Sequence, residues 1–209
     1  MGAEPSHPPL RSDARHNRER ILRVAATLFA ERGLDVPMAA IARHAGVGVA
    51  TLYRRFPTKD SLVTEVFTEQ FATCARVLEV ALADPDPWRG FRTVVVEICA
   101  MQVADRGFGT AFLAALPDAV DVERERALAD LAGLIARAQA AGALRADFVP
   151  ADLLLVLAAN NGLVTGSAET TRVASRRLVA YLLNSFRADH ADPAAPLPPP
   201  APLTVHDVR

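Results

Sequence analysis

The stretch Ile41–Phe56, IARHAGVGVATLYRRF, decides the reading of this chain. Two runs of apolar residues at helical spacing flank a glycine. Ile41, Ala45, Val47, Leu52 and Phe56 are spaced to pack two short helices on each other and on a helix before them. Ala42 and Ala45 are small enough to allow close approach. The turn at Gly46–Val47 calls for a positive φ, which glycine adopts without steric cost. These are the requirements of a helix-turn-helix, in which the second helix stands proud of the body and can enter a DNA major groove. The outward residues of that helix are Val49, Ala50, Thr51, Tyr53, Arg54 and Arg55. Lys59 follows at the start of the next helix, where free N–H groups suit phosphates. An ordinary αα-hairpin in a helical core satisfies the same apolar pattern, so spacing alone leaves both readings open.

Charge distribution sharpens the choice. From Arg11 to Lys59 there are ten basic and four acidic residues, a net of +6, whereas the chain beyond Lys59 carries a net of −6. A basic first quarter on an acidic remainder is the footprint of a small nucleic-acid-binding module attached to a body with another task. A solvated charged face would give the same count. With 51% hydrophobic and 22% charged residues among 209, the chain has enough apolar content for a core, and disorder is excluded for most of it.

Working outward, the signal is helical throughout, and alternating runs of strand length are absent. The spacing predicts helices over about 14–32, 37–45, 48–55, 58–83, 88–105, 110–116, 120–141, 151–165 and 170–189. That is an all-α chain of about nine helices. Pro37 suits a first helical position. Thr58 is placed to cap the long fourth helix, which Pro85 and Pro87 end. Residues 1–12 read as a flexible arm, 13–58 as the helix-turn-helix domain, 59–190 as a helical regulatory and dimerisation domain, and 191–209 as a Pro-rich disordered tail. The first twenty residues hold no apolar run of signal-peptide type. The longest uncharged stretch, Leu153–Ala168, has 16 residues and includes Asn160, Asn161 and Thr165. It falls short of the ~20 apolar residues of a membrane span. No membrane association is expected, and the cytoplasm is the expected location. Cys74 and Cys99 have no metal-ligand spacing and read as core thiols.

The segment Arg15–Leu62, RHNRERILRVAATLFAERGLDVPMAAIARHAGVGVATLYRRFPTKDSL, strongly resembles the DNA-binding domain of the TetR family of transcriptional regulators. The run TLYRRFPTKDSL carries most of that resemblance. The wording GVGVATLYRRFPTKD also looks like the family's SbtR-like branch. The resemblance implies a homodimer on a palindromic double-stranded DNA operator. It further implies repression of transcription and release by an unidentified small-molecule effector. Carried onto this chain, Val49, Ala50 and Thr51 fall at base-facing positions, and Tyr53 and Lys59 at phosphate contacts. Arg54 and Arg55 are plausible contacts to phosphate or base edge. The chain departs from the pattern at Pro37, at Ala39, where a base-reading polar residue can occur, and at Gly48, where a capping serine is common. Arg11, Arg15 and Arg18 are candidates to reach phosphates or a minor groove from the N-terminal arm, against a solvated tail as the alternative.

In the second half, the resemblance places the dimer interface on the last two long helices, with Leu153, Leu154, Leu157, Leu178, Tyr181, Leu182 and Phe186 as its apolar positions. Trp88, Phe91, Cys99, Met101, Gln102, Phe108, Phe112 and Asn160 mix aromatic walls with isolated polar groups and are candidate effector-pocket residues. Asn160 inside an apolar helix needs a partner, which a ligand, a subunit or a backbone carbonyl would supply. The acidic residues Asp118, Asp121, Glu123 and Glu125 read as a solvated helix start. No catalytic motif and no metal-ligand set appears, so neither enzyme activity nor a cofactor is expected. Two other readings remain: an activator of the same fold, and an all-helical ligand-binding protein without DNA affinity.

Overall fold

The computed structural model describes residues 10–115, 122–192 and 197–200. The expected arm before Leu10, the acidic positions Asp118 and Asp121, and most of the Pro-rich tail lie outside the described residues. The described chain is helical, with ten α-helices and no β-strand, and it divides into two compact units, Met1–Thr68 and Glu69–Arg209.

The first unit holds α1 (Leu10–Arg32), α2 (Met38–His44), α3 (Val49–Arg55) and α4 (Lys59–Val66). α1 packs on α2 and α4, and α2 packs on α3. The core between them is Ile21, Ala25, Phe29, Ile41, Ala42, Leu52, Phe56 and Leu62, each at most 1% exposed. Gly46 has φ +63°, as its place in the turn requires. Pro37 is not the first helical residue as expected. It is the N-cap of α2, at φ −64° and ψ 143°, and it offers no side-chain cap. Gly48 likewise caps α3 without a side chain. Thr58 compensates at α4: its hydroxyl accepts from the Ser61 amide, and the Ser61 hydroxyl accepts from the Thr58 amide.

The long helix expected over 58–83 is broken. α4 ends at Val66, Phe67 leaves the helical region (φ −106°, ψ 16°), and α5 begins at Thr68. At the break Phe67 is buried, with its ring 6.2 Å from that of Phe29. α4 therefore belongs with the first unit, and the boundary falls after Thr68 rather than at Thr58.

The second unit holds α5 (Thr68–Ala83), α6 (Pro87–Ala104), α7 (Arg106–Ala115), α8 (Val122–Ala140), α9 (Pro150–Asn161) and α10 (Ala168–Ser185). α6 is its centre and packs on α7, α8, α9 and α10. Asp86 caps it, accepting from the Trp88 and Arg89 amides. Gly90 lets α6 approach α5, since a Cβ there would lie 2.5 Å from the Ala81 carbonyl oxygen. α9 stops at Asn161, earlier than the apolar run suggested. No helix among the described residues is long and apolar enough to cross a membrane.

The α8–α9 loop is tied to the end of α10 by backbone bonds from Arg145 to Phe186 and from Ala188 to Ala143. Arg145 also grips Asp147 through two nitrogens, and Asp147 accepts from the Leu197 amide at 3.1 Å. The Arg145 guanidinium, seconded by that amide, holds the Asp147 carboxyl at about 2, below its ordinary 3.8. A depressed carboxyl stabilises the fold above its unfolded pKa and loses that contribution as pH falls through the folded one. The pH-dependent part of the stability difference between the wild type and Asp147→Asn is therefore expected to be full above about pH 5 and to be lost progressively down to about pH 1. Urea unfolding across that range checks it, and a difference independent of pH would contradict it.

Candidate functional site

α3 has seven residues, and Leu52 is its sole buried one. That single anchor, with Phe56 buried just beyond, leaves the rest of the helix to solvent. Val49 is 43% exposed and Tyr53 47%; Ala50, Arg54 and Arg55 are exposed, and Thr51 is half-buried. Val49 and Tyr53 are four residues apart and so lie on the same exposed face of α3. Lys59 is half-buried at the first turn of α4, and Ala39 is exposed on α2.

Two details were not legible in the sequence. Arg54 donates to the Thr51 hydroxyl at 3.0 Å, so these two candidate contacts are coupled on one face of α3. Arg18 is not a free arm residue. It pairs with Glu65 on α4, donating to its carboxylate at 2.6 Å, and its guanidinium lies 5.8 Å from the Phe56 ring centre. Arg18 thus braces the unit and is withdrawn from the candidates for phosphate contact. Arg15 pairs loosely with Glu19 on its own helix.

In the second unit the expected effector residues fall into separate contacts among the described residues. Trp88 and Cys99 line a groove between α6 and α10. Phe91 is buried against Phe148 and Trp88. Phe108 and Phe112 cluster with Phe71. Met101 touches the Cys74 sulfur. Burial pushes the Cys74 thiol up to about 11 and that of Cys99 to about 12, so neither is a reactive thiolate.

Asn160 has its partners inside the protein. Its amide donates to the Cys99 carbonyl at 3.1 Å and to Gln102 Oε1 at 3.0 Å, and its Oδ1 accepts from the Ser175 hydroxyl at 2.6 Å. The three buried side chains join α6, α9 and α10. Asn160 is therefore a cross-link rather than an available ligand contact. Gln102 Nε2 is buried and has no hydrogen-bond partner among the described residues.

On the last two helices, Leu153 and Leu157 are buried in the unit's own core, which withdraws them from an exposed interface. Leu178, Leu182 and Phe186 are half-buried, and Tyr181 is 60% exposed beneath the Arg177 guanidinium. Leu155 and Val173 are also exposed, which the sequence pattern did not single out.

Removing a buried hub strands its partners, each at a cost of roughly 1–3 kcal/mol. Asn160→Ala is thus expected to lower the unfolding free energy by at least about 2 kcal/mol. Chemical denaturation checks this, and an effect below about 0.5 kcal/mol would contradict the cross-link.

Comparison with known proteins follows the same division. The sequence model described as "Bacterial regulatory proteins, tetR family" matches residues 21–66, which is α1 from Ile21 through α4. An HTH-type transcriptional regulator of Staphylococcus aureus is 44% identical over 54 residues, 25% of this chain and 29% of that protein. The matched region thus spans under a third of that relative's length. Similarity over nearly whole chains comes from the TetR transcription regulatory protein of Mycobacterium vanbaalenii. It is 34% identical, with 86% of this chain and 99% of that chain covered, and a TM-score of 0.44. A gamma-butyrolactone receptor shares the fold, at a TM-score of 0.55 and 19% identity over 81% of this chain and 85% of that one. These relatives are named as regulators or a receptor, and the names do not extend to the SbtR-like branch. On the family-model match and on the 34% identity over nearly all of the Mycobacterium protein, the chain belongs to the TetR family of bacterial regulatory proteins.

Proposed function

We propose that this chain is a dimeric transcriptional repressor that holds a palindromic operator through α3 and leaves it when a small molecule occupies the second unit. The observation that carries the reading is α3 itself. It is a short helix anchored by Leu52, with Val49, Ala50, Tyr53, Arg54 and Arg55 turned to solvent. Between Asp35 and Asp60 the chain has no acidic residue, so nothing on α2 or α3 repels phosphate. The Val49 and Ala50 methyls suit thymine methyl groups, and Arg55 can pair with guanine. Tyr53 and Lys59 are the proposed phosphate contacts. Ala39 and Gly48, exposed but without polar side chains, contribute backbone approach alone.

Dimerisation is proposed through α9 and α10, where Leu155, Val173 and Tyr181 are exposed. A two-fold interface there would present two α3 helices to half-sites about 34–36 Å apart. The effector is proposed to change that separation rather than the reading surface.

Fluorescence anisotropy with DNA from the gene's upstream region, across a salt series, tests the reading. If that DNA fails, sites selected from random duplexes replace it. Wild-type affinity is expected to fall steeply with salt. Lys59→Ala is expected to weaken binding and to reduce the log–log salt slope by about 1, as loss of one phosphate contact does. Tyr53→Ala is expected to weaken binding roughly tenfold. Binding that neither variant changes would contradict the role of α3.

A further inference from the structure

The groove between α6 and α10 has a volume of about 620 Å³, within the range of small-molecule sites. Its walls are apolar, with Val96 and Val103 from α6 facing Val179 and Leu183 from α10. Its charged lining residues are Arg92, Arg172, Arg176 and Arg187, and no carboxylate lines it. This convergence occurs in the acidic part of the chain, which beyond Lys59 has a net charge of −6.

The four cations are not equivalent. Arg172 is held by Glu169 at 2.6 Å. Arg187 is held by both oxygens of Asp189 at 2.9 Å and lies over the Trp88 ring. Arg92 makes no hydrogen bond or ion pair among the described residues, and Arg176 senses Glu169 only as a distant charge. Two uncommitted guanidinium groups, one from each helix, therefore face the same apolar trough.

We propose that this groove binds an amphipathic anion, with its apolar body along α6 and α10 and its acidic head at Arg92 and Arg176. The proposal rests on the regulator reading above and names the chemical class of the effector. A guanidinium presents paired donors that match a carboxylate or a phosphate. A neutral ligand of the same shape leaves both cations unanswered, and a cationic one is repelled.

Trp88 is the chain's one tryptophan and lines the groove, so its fluorescence reports occupancy directly. Full-length protein is titrated with decanoate, decyl phosphate, decanol and decyltrimethylammonium. Both anions are expected to give a saturable change, and their relative affinities separate a carboxylate from a phosphate head. The alcohol and the cation are expected to bind roughly tenfold or more weakly. The double variant Arg92→Gln, Arg176→Gln is expected to keep its unfolding midpoint and lose roughly tenfold affinity for the anions.

Failure of both anions to saturate overturns the proposal, as does equal binding of decanol. So does a change of sedimenting mass in the double variant without a change in anion affinity, which assigns the groove to a second copy of the chain. Operator binding measured on the same samples separates this proposal from the one it rests on. DNA affinity without anion saturation removes the groove proposal and leaves the regulator reading standing. Anion saturation without DNA affinity does the reverse.

Discussion

Everything proposed for this protein depends on holding a seven-residue helix in place from one side. A helix that short does not persist alone in water, because its hydrogen bonds do not repay the cost of nucleation. α3 persists because Leu52 is fully buried, Phe56 closes the core behind it, and Gly46 turns the chain at φ +63° so that α2 and α3 meet. With so little of its surface spent on folding, α3 keeps six of seven side chains for another use. The brace from Arg18 to Glu65 serves the same end, since it ties α1 to α4 beside the buried Phe56 ring.

The second unit is organised differently. Its centre is α6, which is buried along most of one face and packs on four helices. Apolar burial is not directional, so it does not by itself fix the register of α9 and α10 on α6. The hydrogen-bonded set Gln102, Asn160 and Ser175 adds that direction, because its partners meet in one arrangement.

The all-helical fold and the first unit were largely legible because the signals there are local. Glycine at the turn, threonine at the α4 cap and apolar residues at helical spacing act within a few residues of each other. The break at Phe67 was not legible, since neither proline nor glycine marks it. It coincides with the packing of Phe67 on Phe29, which is a tertiary contact. The pocket residues were legible as buried but not as belonging together, because periodicity shows that a side chain faces inward and not which cavity it meets. Arg92 is far in sequence from Arg172, Arg176 and Arg187, and they become one lining when α6 meets α10. Leu153 and Leu157 look like surplus apolar surface on a single helix, yet the surrounding helices use them for the core.

The central claim is that α3 reads DNA, and selection of bound sites from random duplexes tests it most directly. Wild type and Thr51→Val are compared in the same selection. The account predicts enrichment of an inverted repeat whose half-sites lie about one helical turn apart, with Thr51→Val altering the same position in both halves. Failure to enrich any repeat, or an identical site for both proteins after Val49, Ala50 and Arg55 are also replaced, would contradict it.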